Sequence, residues 1–306
     1  MAARLRLPKW PTLNLEREFT GSVCGVDEAG YAPLAGPVVA AAAIIPPGAK
    51  PRLLRGLTDS KLLSAEEREH YAERIRRIAV SGIGVATVAE IDEFNIYRAN
   101  LLAMQRAVEA LGVAPDAALV DGRAAPRIAC RVKTVVKGDR RSLSIAAASV
   151  LAKVARDRIM RGLAADFPGY GWNTNVGYGT DEHYLGLLRR GPTVHHRLSF
   201  APLNTLFADG GSGVARYRFE PVAALGDPAR IELLELRQDL HAVFDGDGCH
   251  LGQVKNLRGR WTFQAVGYGG NGELLAGEGP CARLHGHALD EPAVAAVRRL
   301  VAALVS

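Results

Sequence analysis

The sequence predicts a mixed α/β sheet flanked by helices over its first two thirds, followed by a smaller, mostly β domain. Three observations predict it. Strand-like apolar runs come in close succession near the N-terminus, later ones alternate with long helical patterns, and beyond a Gly-rich "ADGGSG" stretch at 208–213 the chain turns to hairpin signals. The expected domains are therefore 1–208 and 213–306, the second closing with some helix and having no assigned role.

The strands come first. Residues 21–28 form a short apolar run ending on two acids, and "PVVAAAAII" at 37–45 is uninterrupted apolar sequence between Gly-Pro and Pro-Pro, which fits a strand buried on both faces. Ser64 followed by Glu67 has the pattern of a capping box, so 65–79 reads as an amphipathic helix with Tyr71, Ile75 and Ile78 inward. "IGVATVA" at 83–89 alternates as a third strand.

A helical pattern then covers Asn95 to Leu111 and stops before Gly112. "AALVDG" delivers Asp121 to a turn, and "RVKTVVKGD" is a fifth strand ending at Asp139. The alanine-rich stretch from Ser142 to Ala164 is a strong helix whose small residues permit close packing on the sheet. In the last hundred residues, Asp245-Gly246, Arg258-Gly259 and Gly269 to Gly272 mark hairpin turns before a final helix-like segment.

Bulk properties narrow the function. The 306 residues carry a net charge of +6, but residues 1–208 hold +8 and residues 209–306 hold −2. If the partner is a polyanion such as nucleic acid, the first part holds it. No long uninterrupted apolar run predicts a membrane span, and the N-terminus lacks the apolar core of a secretory signal, so the expected location is cytoplasmic. Four widely spaced cysteines form no Cys-x-x-Cys pair, which argues against a zinc knuckle and for buried free thiols.

The chemistry-bearing residues are Asp27, Glu28, Asp121 and Asp139, each at a strand end or the turn after one. Acids at such places are often solvated and structural. If they converge on one sheet edge, however, like charges about 4 Å apart repel by roughly 4 kcal/mol at an effective dielectric near 20, and divalent cations are the natural compensation. An all-oxygen donor set favours Mg²⁺ or Mn²⁺ over zinc, and two such ions clamp a phosphodiester for hydrolysis.

Ordered blocks carry a family resemblance. "DEAG…PLAGPVVAAA" at Asp27, "DSKLLS" at Asp59, "EIDEFNIYRANLLAMQRAV" at Glu90, "VDG" at Asp121, "KGD" at Lys137, "SIAAASVLAKVARD" at Ser144 and "GYGTDEHYLGLLRRGPTVHHRLSFAPL" at Gly177 resemble the type 2 ribonucleases H, specifically ribonuclease HII, over about residues 21–203. The resemblance implies a ribonuclease H-like fold and a metal-dependent endoribonuclease. It would hydrolyse the RNA strand of RNA/DNA hybrids, including ribonucleotides embedded in duplex DNA, leaving 5′-phosphate and 3′-hydroxyl ends.

The resemblance also implies a pair of Mg²⁺ or Mn²⁺ ions on Asp27, Glu28, Asp121 and Asp139, and a Tyr178 that stacks on the deoxyribose after the ribonucleotide. By analogy Lys61 approaches a phosphate, with a solvated lysine as the alternative. Lys153, Arg156 and Asp157 read as supporting or charge-pairing residues, and His195, His196 and Arg197 as structural or phosphate-gripping. The expected partner is hybrid or ribonucleotide-containing duplex; no membrane is expected, and the sequence names no protein partner.

One departure stands out. Where the family has a Gly-Arg-Gly loop at the RNA-to-DNA junction, this chain has Gly30, Tyr31 and Ala32. If backbone N–H groups do the work, the loop survives provided neither Tyr31 nor Ala32 needs a positive φ; if the guanidinium is required, junction preference weakens. Two other classes remain open: a hybrid-binding protein with weakened cleavage, and another two-metal nuclease such as a junction resolvase. In the C-terminal domain, Trp261, Phe263 and Tyr268 beside Lys255, Arg258 and Arg260 read either as a small β core or as a base-stacking patch.

Overall fold

The computed structural model describes residues 10–46, 54–211, 214–222, 225, 227–269, 273–289 and 294–305. Its chain falls into two compact units, 1–179 with 193–199, and 180–192 with 200–306. The segment 180–192 thus clusters with the C-terminal part of the chain, although it lies well before the Gly-rich stretch. Of that stretch, residues 208–211 are turns, and 212–213 lie outside the described residues.

In the first unit the elements are β1 (Val23–Ala29), β2 (Val38–Ile44), α1 (Ala65–Ile78), β3 (Val80–Ala86), α2 (Val88–Phe94), α3 (Ile96–Glu109), β4 (Ala117–Asp121), β5 (Arg131–Val135), α4 (Leu143–Asp166) and α5 (Trp172–Asn175). The strands make one sheet in the order β3-β2-β1-β4-β5. β2 runs antiparallel to β1 and β3, whereas β4 runs parallel to β1 and β5 parallel to β4, so the sheet is mixed.

The expected all-buried strand is observed: every residue of β2 is buried, with α3 and α4 both packed against it. α4 approaches β1 very closely at Gly25, where an added Cβ would stand 2.1 Å from the carbonyl carbon of Ser144. The alanines and serines of the helix allow this approach, and it sets the height of α4 over the acids that follow Gly25.

The Ser64–Glu67 capping box is present, with Ser64 Oγ accepting from Glu67 N at 3.1 Å and Glu67 Oε2 accepting from Ser64 N at 2.7 Å. Ile75 is buried, and Tyr71 and Ile78 pack partly buried against the same core. The third strand differs from expectation, covering Val80–Ala86 rather than 83–89. A second capping box, Thr87 with Glu90, starts α2 at Val88 and overrides the strand-like alternation there. Asn95, at φ +69°, ends α2 and caps α3.

The fifth strand also stops early, at Val135. Asp139 therefore lies beyond the strand, on a 3-10 turn, Gly138–Arg140, entered through Lys137 at φ +56°. Cys24, Cys249 and Cys281 are buried free thiols, whereas Cys130 is half-buried, a correction to the expectation that all four are enclosed.

The second unit contains α6 (Asp181–Arg190), α7 (Leu203–Leu206), β6 (Glu232–Arg237), β7 (Leu240–Phe244), β8 (His250–Leu257), β9 (Arg260–Tyr268), β10 (Leu274–Ala276), β11 (Ala288–Leu289) and α8 (Val294–Val305). Strands β6 to β10 form an antiparallel sheet in chain order, and β11 adds to β9. Turns at 245–249 and 258–259 are observed as expected; 270–272 lie outside the described residues. Phe263, Leu251, Val254, Val297 and Val301 share its core.

Phe263 and Tyr268 are buried, which favours the core reading of that aromatic group, and Lys255 is engaged by Asp181 at 2.7 Å. Asp181 also meets Arg237 at 3.3 Å, so the first turn of α6 is held by β6 and β8. Arg189, in the last turn of α6, stands over the Tyr268 ring at 5.3 Å. Among the described residues no helix is long and apolar enough to cross a membrane.

Candidate active site

The sheet register brings the acids together. Val26 pairs with Val120 across parallel strands β1 and β4, so Asp27 and Asp121, one residue further on each strand, arrive at the same edge. Glu28 follows Asp27 within β1, and the 3-10 turn after β5 brings Asp139 alongside. Asp121 Oδ1 accepts from the Gly138 amide at 2.6 Å, which ties the turn to the end of β4.

The acids act on one another electrostatically. Burial raises the Asp27 carboxyl well above its ordinary range, and the charges of Glu28 and Asp121 push it further. Glu28 is raised by burial and by Asp121; Asp121 is raised chiefly by its own burial. Asp139 is pushed up to about 6 by burial, with Asp59 and Asp121 adding repulsion. Exposed Lys61 opposes this at Glu28, Asp121 and Asp139.

Supporting groups fix these carboxylates. Asp27, 5 % exposed, accepts from the Glu28 amide at 2.8 Å and is hydrogen-bonded by the Ser149 hydroxyl of α4. Ser149 and Ser60 share a hydroxyl hydrogen bond at 3.0 Å. Asp59 caps the turn that carries Lys61 by accepting from the Lys61 amide at 2.9 Å. Sequence reasoning missed Asp59, Ser60 and Ser149, although "DSK" had already drawn attention to Lys61.

Lys153 and Asp157 pair at 2.8 Å, and Asp157 also faces Arg68 at 3.8 Å. Arg68 donates to the carbonyls of Ser60 and Leu63, so Asp157 supports the "DSK" turn rather than the acid cluster. Of the two expected roles Arg156 takes the supporting one: its guanidinium donates to the carbonyls of Pro37, Val176 and Ala35.

Gly30, Tyr31 and Ala32 follow β1 directly. Gly30 has φ +92°, and an added Cβ would stand 2.0 Å from Arg156 Nε, so only glycine fits. Tyr31 and Ala32 are not among the positive-φ residues, which removes the conformational objection to them. The Tyr31 and Tyr178 side chains are each 41 % exposed. Tyr178 lies close enough to Arg156 and Arg197 to act on both guanidiniums.

His196 and Arg197 are buried, and His196 Nδ1 accepts from the Thr193 amide at 2.9 Å. The structural reading therefore holds for His196 and Arg197. Among the described residues no three Asp, Glu, His or Cys side chains close into a finished metal cage. The carboxylates share one edge without converging on a single point.

A mixed five-stranded sheet with α4 packed on it and one buried and three half-buried acids along one edge defines a nuclease of the ribonuclease H-like class. A family model described as Ribonuclease HII matches residues 24–203. The Ribonuclease HII of Paramagnetospirillum magneticum is 55% identical over 194 residues, 63% of this chain and 96% of that protein. That of Synechococcus sp. (strain JA-3-3Ab) is 53% identical over 201 residues, 65% and 90% of the two chains. The solved ribonuclease H2 from Pyrococcus horikoshii aligns with a TM-score of 0.51 at 25% identity, covering 60% of this chain and 96% of that one.

The chain belongs to the ribonuclease HII family. It is a type 2 ribonuclease H, an endonuclease for the RNA strand, and a role limited to binding is not favoured. The family match ends at residue 203, which leaves β6 to α8 outside it.

Proposed function

We propose that Asp27, Glu28, Asp121 and Asp139 are the catalytic carboxylates. Their substrate is an RNA/DNA hybrid or duplex DNA with embedded ribonucleotides, cut to 5′-phosphate and 3′-hydroxyl ends. The observation that carries this reading is the shared edge at which all four acids have raised pKa values, with Lys61 the cation that opposes the rise at Glu28, Asp121 and Asp139. Such a cluster holds excess negative charge that a hard divalent cation would relieve.

The donor set fits Mg²⁺ or Mn²⁺, because every candidate ligand is a carboxylate oxygen. Bound there, divalent cations would stabilise charge on a phosphodiester and acidify a water for attack. The chain's own part is to orient: Ser149 and the Glu28 amide fix Asp27, and the Gly138 amide fixes Asp121. Lys61 is exposed and acts electrostatically on three of the acids, which suits it to meet a phosphate of the substrate. Tyr178 offers a ring face to the sugar that follows the ribonucleotide, and Gly30, Tyr31 and Ala32 line the junction.

The test is Asp121→Asn assayed on a hybrid with Mg²⁺ or Mn²⁺, beside wild type with and without chelator. The expected outcome is a fall in kcat of about a thousandfold or more for the variant, and loss of wild-type cleavage with chelator. Undiminished turnover of Asp121→Asn would remove it from the chemistry. Chelator-insensitive cleavage would exclude the metal-based reading as a whole.

A further inference from the structure

The loop that follows the catalytic acids has its carbonyls and its amides divided between two directions. Arg197, fully buried, donates from Nη2 to the Gly30 carbonyl at 2.6 Å, from Nη1 to the Tyr31 carbonyl at 3.0 Å and from Nε to the Gly36 carbonyl at 2.9 Å. Its own segment is stitched to the loop, since the Arg197 amide donates to the Leu34 carbonyl and Ala35 pairs with His196. Arg156 grips the next part of the loop through Ala35 and Pro37, and reaches the Tyr178 turn through Val176.

Accounting for the N–H groups is equally informative. Leu34 and Ala35 donate to the Gly177 carbonyl, Gly36 donates to the His195 carbonyl, and Pro33 has no N–H. The Tyr31 and Ala32 amides make no hydrogen bond to other described residues. Both peptide units are trans, so in each plane the N–H points opposite to the C=O. Carbonyls pulled inward by Arg197 therefore leave the Tyr31 and Ala32 N–H groups facing outward, next to an exposed tyrosine and on the side away from the guanidinium.

We infer that Arg197 is the positioning residue for junction recognition: its grip on the Gly30 and Tyr31 carbonyls aims the Tyr31 and Ala32 amides at a ribonucleotide 2′-hydroxyl and its neighbouring phosphate. This rests on the substrate reading above. Two consecutive outward amides form a small anion-binding concavity, and a buried positive charge beneath the loop adds to its field. The buried guanidiniums of Arg197 and Arg156 thus act through the loop backbone at the place where Tyr31 stands instead of an arginine.

The test is a cycle between Arg197 and the 2′-hydroxyl. In an Asp121→Asn background, Kd is measured for a DNA duplex with one ribonucleotide and for the all-DNA duplex, with Arg197 intact or changed by Arg197→Lys, which keeps the charge and loses the fork. The inference expects the preference for the ribonucleotide duplex to fall at least tenfold, with affinity for the all-DNA duplex changed less than twofold.

Equal losses on both duplexes would make Arg197 merely structural and overturn the inference. Equal affinities before Arg197 is touched would sink the substrate reading, and this inference with it. Should Arg197→Lys not fold, Ala32→Pro decides, because it deletes one outward donor and leaves Arg197 in place. It must lower the same preference at least threefold, and an unchanged preference overturns the inference.

Discussion

Asp27 and Asp121 stand on adjacent parallel strands, each one residue past the registered pair Val26 and Val120, and the charge of Asp121 raises the pKa of the Asp27 carboxyl. Two carboxylates placed side by side in a desolvated edge are a standing electrostatic cost. The fold tolerates it at the proposed site of chemistry.

The cost predicts a pH signature. Asp139 titrates near 6 in the folded protein against 3.8 for an ordinary aspartate, so the native state holds its proton more tightly than the unfolded chain. Its contribution to stability therefore falls as pH rises between about 4 and 6, and it stays lower above that window. In the presence of chelator, Asp139→Asn is expected to stabilise the protein at pH 7.5 by on the order of 1 kcal/mol, a figure reduced for solvent screening of a part-exposed group. The gain should shrink near pH 4; thermal melts showing the same gain at both pH values would contradict it.

Lys61 is exposed and close enough to the acids to lower the pKa values of Glu28, Asp121 and Asp139. If it also meets a phosphate, Lys61→Ala should weaken hybrid binding and reduce the slope of log K against log salt by about 1. Titrations at several salt concentrations in the Asp121→Asn background measure this. An unchanged slope would leave Lys61 a solvated lysine.

Tyr178 exposes its ring, and stacking uses that ring rather than the hydroxyl. Tyr178→Phe should keep kcat/KM on a single embedded ribonucleotide within about threefold, while Tyr178→Ala loses about 1–3 kcal/mol of interaction. Equal losses in the two variants would argue that the hydroxyl, not the ring, matters.

Phe263 lies fully buried in the core of the second sheet with Leu251 and Val254. Phe263→Ala is expected to cost about 3–5 kcal/mol of stability. Denaturant unfolding reads that loss. A variant of unchanged stability with weakened hybrid affinity would restore the base-stacking reading of this aromatic group.

Much of this was legible because local signals and global architecture agreed. The unbroken apolar run of β2 and the Ser64–Glu67 box each announce their element, and the register of β1 and β4 carries Asp27 and Asp121 to one edge. The boundary errors have local causes. Thr87 and Glu90 close a capping box that cuts the third strand short, and a left-handed Lys137 turns the chain off β5 before Asp139. Long-range partners carry no such local mark: nothing near Ser149 announces Asp27, and nothing near Arg197 announces Gly30.

Asp181 belongs to the stretch shared with the family, yet the two cations that hold it, Arg237 and Lys255, come from strands that the family match does not reach. The second sheet in this way holds a helix that belongs to the family-matched part of the chain. A truncation at the Gly-rich stretch would strip α6 of those partners and bare the face that Arg189 turns toward Tyr268, so the C-terminal hundred residues cannot be treated as a removable cassette.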